Sequence, residues 1–115
     1  MKVWAFNKAD EEQARELIYL SIKNGKSRFG WSQDDKHNLK TKDNWTENHS
    51  RQLFLLEIMP GDWIVHINTP KWGRCIAAKV NSEYSFDDGL KCDWGIDFRH
   101  YFEINVNTIV EFDRN

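Results

Sequence analysis

The chain has 115 residues, which is enough for a single domain, residues 1–115, with a buried core. A hydrophobic content of 40% and a charged content of 30% are typical of a globular domain and exclude a disordered one. The net charge of −2 excludes nucleic-acid binding driven by overall positive charge, so any such contact must come from a local basic patch. Six tryptophans exceed the needs of a core this size, and we expect some of them at a surface or in a pocket.

The two cysteines and the apolar runs bear on the compartment. Cys75 and Cys92 lack the paired spacing of a metal or redox motif. Nothing at the start resembles a signal peptide, and no apolar run approaches the roughly 20 residues of a membrane span. The sequence therefore predicts a cytoplasmic protein with reduced thiols and no membrane contact.

The first part of the chain predicts a strand followed by a helix. The continuous apolar run Val3–Phe6 favours a central strand within residues 2–7, covered on both faces. Acidic residues and one-sided apolar spacing then predict a helix over residues 8–24, with Gly25 at its C-terminal end.

The middle of the chain is polar and then helical. Residues 26–44 show no strong periodicity, and their apolar kernel is Arg28-Phe29-Gly30-Trp31, so we predict a functional loop. Residues 45–58 predict a second helix.

The rest of the chain predicts strands. Pro60-Gly61 has turn chemistry and leads into Trp63–Ile67, which is rich in β-branched and aromatic residues. A short loop carrying Trp72 separates this strand from residues 75–80. Further strands are predicted at 82–86, 98–106 and 109–112, with a turn at 87–89. Helices early and strands late favour an α+β class, with a small curved β-sheet or β-barrel flanked by two helices.

Three features in this order resemble the PUA-like superfamily, most closely its EVE and YTH branches. They are the opening strand Val3-Trp4-Ala5-Phe6-Asn7, the aromatic segment Arg28-Phe29-Gly30-Trp31-Ser32, and the run from Met59-Pro60-Gly61-Asp62 through Trp72-Gly73 to Cys75–Val80, with Tyr84 and Phe86 after it. The resemblance implies a PUA-like barrel whose aromatic cage accepts a modified or flipped base. The chain is also similar to the modules at the N-terminus of modification-dependent restriction proteins.

A modified base has flat apolar faces and a polar edge. Tryptophan can stack on the faces, at roughly 1–3 kcal/mol per base, and short polar side chains can read the edge. We assign the ligand-binding role to Asn7, Trp31, Ser32, Trp72 and Tyr84. The alternative for Trp31 is closure of the core beneath the polar loop. Trp4 and Trp63 lie in apolar strand patterns and are predicted in the core.

Cations near these segments suit phosphate contacts. The residues are Arg28, Lys71, Arg74, Lys79 and Arg99. The alternative is a solvated surface of mixed charge.

Signals for catalysis are poor. Cys92, Asp97 and His100 lack the supporting motif of a nucleophilic set, and no paired spacing indicates zinc. Asp87 and Asp88 are better explained by a turn than by a nuclease site. We therefore predict no enzyme activity, no metal and no cofactor.

Three functional hypotheses remain. The first is a nucleic-acid-binding module that recognises a modified base, as the specificity domain of a restriction or phage-defence protein; its partner is DNA, with RNA left open. The second is a protein-interaction domain with no nucleotide ligand, and the third is a small metal-dependent nuclease. The chain stops just after a strand pattern, which suggests a C-terminal nuclease or motor domain in a longer protein.

Overall fold

The computed structural model describes residues 1–7, 11–30, 32, 37–41 and 52–115. Within these residues the protein is a small α+β domain with one α-helix and a curled β-sheet. The elements are β1 (Val3–Phe6), α1 (Glu12–Lys23), β2 (Lys26–Phe29), a 3-10 helix (Leu53–Glu57), β3 (Trp63–Ile67), β4 (Arg74–Val80), β5 (Ser85–Phe86), β6 (Leu90–Cys92), β7 (Gly95–Asp97) and β8 (His100–Asp113).

The main sheet has the strand order β1-β3-β4-β8-β2, and β5 pairs with β8 outside this path. β1 and β3 are parallel, with Val3 opposite Trp63, and the other pairs are antiparallel. β6 and β7 form a separate hairpin. The predicted α+β class is confirmed, and β1 lies beside β3.

The long strand β8 belongs to both halves of the sheet. Its start pairs with β2, and its later part pairs with β4. The β4–β8 register shifts between Ala77 and Lys79. At this irregularity Lys79 N donates to Thr108 Oγ1 at 2.8 Å, and the Thr108 hydroxyl donates to Asn105 O at 2.6 Å. Such bulges bend a strand, and this one lies within the part of β8 that pairs with β4.

The curl of the sheet brings β2 close to β1 and β3. The rings of Phe6 and Phe29 meet edge to face, with their centroids 5.0 Å apart. A hydrogen bond of 2.6 Å joins Ser27 Oγ and His66 Nε2. We call these contacts between β2 and the β1–β3 pair the seam.

The core consists of two buried clusters. The first lies along the seam and contains four aromatic residues among nine, whereas the second lies under α1. The first comprises Phe6, Phe29, Leu39, Leu55, Ile58, Ile64, Val80, Tyr84 and Phe102, and the second Ala14, Ile18, Ile22, Ile76, Ala78, Cys92, Phe98 and Ile104. Both cysteines are free and buried.

Asp62 ties the N-terminus to the turn before β3. Its carboxylate accepts hydrogen bonds from Trp4 Nε1, Met59 N and Lys2 N, each at 3.0 Å. These bonds, led by that of Trp4, lower the pKa of Asp62 to about 2. Gly61 has a φ of +96°, which glycine adopts without strain, so the predicted turn into Trp63 is confirmed.

The prediction of a central β1 is wrong. β1 is an edge strand of the sheet, and only one of its faces is covered: Val3 is 63% exposed and Ala5 is exposed on the same face, whereas Phe6 is buried. Trp4 and Trp63 are half-buried rather than enclosed.

The segment at 26–29 is β2 rather than loop, because its polar side chains find partners elsewhere in the fold. The strands predicted at 98–106 and 109–112 are the one bent strand β8.

The structure agrees with the two predicted helices only in part. α1 ends where predicted, and Gly25 follows it with a φ of +98°. Its expected first residues, 8–10, lie outside the described residues. So does the first half of the second predicted helix, residues 45–51; in its described half, residues 53–57 form a 3-10 helix.

We expect Thr108→Val to lower the free energy of unfolding by about 0.5–1.5 kcal/mol, because Lys79 N loses its acceptor at the bulge. Urea denaturation measures the change. Thr108→Ser keeps the hydroxyl and is the matched control. Equal stabilities of the two variants would show that this bond does not hold the bend of β8.

Candidate ligand-binding site

A shallow cleft lies where β1, β2 and β3 end, and it encloses about 10 Å³, roughly the space of one water molecule. Its walls come from these strands, from α1, from the β3–β4 loop and from the segment before β8. The lining residues are Phe6, Ile18, Arg28, Phe29, Gly30, His66, Ile67, Thr69 and Phe98.

Phe98 forms one wall in an unusual backbone conformation. Its φ of +58° lies in the left-handed region, which is rare for a bulky residue and is often found at ligand sites. Its N donates to Asp97 Oδ1 at 2.7 Å, and its O accepts from Arg28 Nη1 at 2.8 Å. Gly30 packs closely against this ring: a Cβ added there would lie 3.1 Å from it, so a larger residue would push the ring by a few tenths of an ångström.

Arg28 was expected to contact phosphate, but its guanidinium group is occupied. The residue is 6% exposed. Nη1 and Nη2 donate to the two oxygens of Asp87 at 2.8 and 2.9 Å, and Nε donates to Ser21 Oγ at 3.1 Å. Burial raises the pKa of Asp87, but the hydrogen bonds from Arg28 and Gly89 outweigh it and lower that pKa to about 2. Arg28 thus braces the wall at Phe98 rather than offering a free cation.

His66 lines the cleft as a neutral imidazole. Burial lowers its pKa from 6.5 to about 3. A serine hydroxyl beside an imidazole can be a nucleophile and base, but Ser27 and His66 are both buried in the seam. Their bond closes the curl of the sheet and presents no hydroxyl to a substrate.

Two other expected ligand residues are also buried and bonded. The Tyr84 hydroxyl lies 2.5 Å from His100 Nδ1 and accepts from Leu39 N at 3.3 Å. Ser32 is fully buried, and its Oγ accepts from Arg99 N at 2.7 Å. Their placement therefore does not support the ligand roles assigned to them. Asn7 is exposed and directly follows Phe6, and Trp31 lies outside the described residues.

The weak catalytic set is not assembled. His100 bonds to Tyr84, whereas Asp97 accepts from the backbone N of Ser32 and Phe98. Within the described ranges, no three His, Cys, Asp or Glu side chains come together in a group that could hold a metal ion.

Trp72 lies outside the cleft on an exposed surface. Its side chain is 70% exposed. The guanidinium carbons of Arg15 and Arg114 lie 5.5 and 5.7 Å from its ring centroid. Lys71 next to it is exposed as well. We call these four residues the Trp72 surface; the expectation that Trp72 walls the pocket is replaced by this arrangement.

The cleft and the Trp72 surface are neighbours through two elements. α1 places Ile18 in the cleft and Arg15 at the tryptophan, one helical turn apart. The β3–β4 loop lines the cleft with Thr69 and carries Trp72 three residues later.

The remaining predicted cations lie apart from one another. Arg74 is paired with Asp113 at 2.8 Å, and Lys79 is exposed on β4. The guanidinium of Arg99 lies 6.0 Å from the Phe86 ring. Sequence reasoning missed Arg15 and Arg114, which reach Trp72 from distant parts of the chain without any local motif.

We found no match of the chain to a protein-family model, a curated protein or a solved structure. In the described part of the chain, no helix is both long and apolar enough to cross a membrane. The function must therefore be argued from the chemistry of the site.

We expect Asp87→Ala to lower the free energy of unfolding by about 3–5 kcal/mol, because it leaves the buried charge of Arg28 without its carboxylate. Asp88→Ala is the matched control, since Asp88 is the exposed neighbour and should change stability by less than about 0.5 kcal/mol. Guanidinium denaturation measures both. Similar losses in the two variants would contradict a role specific to the ion pair.

We expect His66 to make the protein acid-sensitive below about pH 6.5. The folded state keeps the ring neutral, while the unfolded chain binds a proton. The stabilisation is complete above pH 6.5 and is lost as the pH falls towards 3, at about 1.4 kcal/mol per pH unit.

Urea titrations between about pH 6 and pH 4.5 test this in the wild type and in His66→Gln, which should have a shallower slope. NMR of the wild-type ring gives an independent check that does not depend on the variant folding. A ring that becomes protonated in the folded state near pH 6 would contradict the expectation.

Proposed function

We propose that this domain binds nucleic acid and holds a modified or extruded base in the cleft between the ends of β1, β2 and β3. The observation that carries the proposal is the adjacency of an aromatic cleft to an exposed tryptophan flanked by arginines. The first feature suits a base, and the second suits the sugar-phosphate strand that carries it.

The chemistry of the cleft fits a small flat ligand. Phe6, Phe29 and Phe98 supply apolar ring surface, and Thr69 and His66 supply polar atoms. The enclosed space is only about 10 Å³, so these rings can offer a base a surface to lie against but do not surround it.

The rigidity of the walls suits discrimination between bases. Arg28 is bonded to both Asp87 and the backbone of Phe98, and the seam fixes His66. A preorganised pocket loses little conformational entropy on binding. Because its walls are held in place, a single methyl group on the ligand can change the affinity measurably.

The small α+β domain with its curled sheet is compatible with the PUA-like resemblance of the sequence, and we propose that family as the ancestry of the site. On this reading the domain is the specificity module of a restriction or phage-defence protein. Its ligand is DNA with a modified base, and RNA is the other nucleic acid to test.

A protein-interaction domain is the second candidate. The observation that favours it is the exposure of Val110 and Phe112 on β8 together with that of Trp72. Exposed apolar side chains of this size can mark an interface with another protein. This candidate predicts no affinity for oligonucleotides.

We expect Gly30→Ala to weaken binding of a modified base, because the added methyl group enters the cleft and presses on the Phe98 ring. Complete loss of base stacking would cost about 5- to 150-fold in affinity. Fluorescence polarisation measures it with short DNA strands carrying 5-methylcytosine or N6-methyladenine, beside the unmodified strand and the corresponding RNA.

The control variant is Leu20→Ala, which removes an exposed apolar side chain on α1 outside the cleft lining. Circular dichroism and thermal unfolding confirm that both variants fold. If Gly30→Ala binds the modified strand as tightly as Leu20→Ala does, the cleft is not the base site.

A further inference from the structure

We propose that Trp72 is a stacking platform for an unpaired nucleotide next to the one in the cleft, so that the ligand is single-stranded or locally opened rather than an intact duplex. This inference rests on the proposed nucleic-acid function and names the form of the ligand. It assigns Trp72 a contact outside the cleft.

The first observation is an open aromatic face. Trp72 is 70% exposed and belongs to neither buried cluster. The guanidinium groups of Arg15 and Arg114 lie over the ring, 5.5 and 5.7 Å from its centroid, and most of the side chain remains open to solvent beside them. A base can therefore reach the exposed part of the ring.

The second observation is that the backbone of the loop holds the tryptophan outward. Gly73 N donates to Asn68 Oδ1 at 3.0 Å, and Gly73 O accepts from Arg114 N at 2.9 Å. Arg74 N donates to Lys71 O at 3.1 Å across the turn. Asn68 adopts a φ of +59°, a conformation that asparagine tolerates. A loop bonded on both sides exposes its indole at a fixed place, and such preorganisation lowers the entropic cost of stacking.

The third observation is the charge beside the ring. Arg15 and Arg114 lie over the Trp72 ring, and the exposed Lys71 precedes it in the chain, so three cationic side chains belong to this surface. Aromatic rings interleaved with cations are the composition of surfaces that bind single strands, because each nucleotide offers one flat face and one phosphate.

The form of the ligand follows from the stacking itself. Bases inside a duplex are stacked on one another and offer no free face to an indole. A base held in the cleft has left its stack, and its neighbour on the strand is then available to Trp72, which Thr69 connects to the cleft within one loop. An intact duplex would engage the cations alone.

The experiment compares fluorescein-labelled unmodified DNA of mixed sequence as a single strand and as its duplex. Fluorescence polarisation should show tighter binding of the single strand by the wild type. Trp72→Ala should weaken single-strand binding about 5- to 150-fold with little change for the duplex. Trp72→Phe should restore most of the affinity, and Ile96→Ala, which removes an exposed apolar residue on β7, should change nothing.

The cations give a second readout. Arg15→Ala and Arg114→Ala should weaken both forms, and each should reduce the slope of log affinity against log salt by about 0.7 for single strands. Trp72→Ala should leave that slope unchanged, because an indole neutralises no phosphate.

The outcomes separate this inference from the proposed function. Equal single-strand binding by Trp72→Ala and wild type overturns the stacking platform, even where Gly30→Ala still abolishes preference for the modified base. Tighter binding of the duplex by the wild type also overturns it. Absence of binding to either form at low salt overturns both proposals. Loss of single-strand affinity in Trp72→Ala with an unaffected Gly30→Ala supports the platform and rejects only the cleft.

Discussion

The curl of the main sheet is the constraint on which the rest of the structure depends. Its long strand β8 pairs with β2 along its start and with β4 along its later part, and its register against β4 shifts beside Thr108, as happens where a strand bends. In the curled sheet the first and last strands, β1 and β2, approach each other. The ring contact of Phe6 with Phe29 and the bond of Ser27 to His66 depend on this approach. The cleft lies at the end of this seam, so its position is a consequence of the curl.

Three polar pairs lie in or beside the seam. Arg28 with Asp87, Ser27 with His66, and Tyr84 with His100 each bury atoms that would be costly if they lacked a partner. Such pairs contribute modestly to net stability, yet each fixes two side chains in one orientation, which purely apolar contacts do less strictly. The directional bonds from Arg28 reach the backbone of Phe98, which stands in a left-handed conformation. The polar interior thus maintains the wall against which a ligand would lie.

Sequence patterns correctly predicted those elements that a short segment determines by itself. The apolar spacing of α1, the turn at Gly61 and the β-branched runs of β3 and β4 are properties of short segments, and the structure confirms them. The strand β2 was not predicted, because Ser27 and Arg28 are polar and suggest a solvent-exposed segment. In the structure, distant partners allow both residues to be buried. The run Val3–Phe6 looked central because hydrophobicity does not reveal how many neighbours a strand has. The candidate site combines both cases: Trp72 was visible as a loop tryptophan, but Arg15 and Arg114 become its neighbours only in the folded chain.

The charge balance bears on how such a site would select its ligand. Much of the affinity of a protein for nucleic acid comes from cations that displace counterions, and this electrostatic part does not depend on the base sequence. Here Arg28 and Arg74 are paired with carboxylates, and the chain as a whole is slightly acidic. If the domain binds nucleic acid as proposed, the remaining local patch would make only a small number of phosphate contacts, and the sequence-independent part of the affinity would be low. Contacts in the cleft and on the indole would then make up a large share of the total binding free energy. Such a domain would discriminate between bases more strongly than a basic domain with the same pocket.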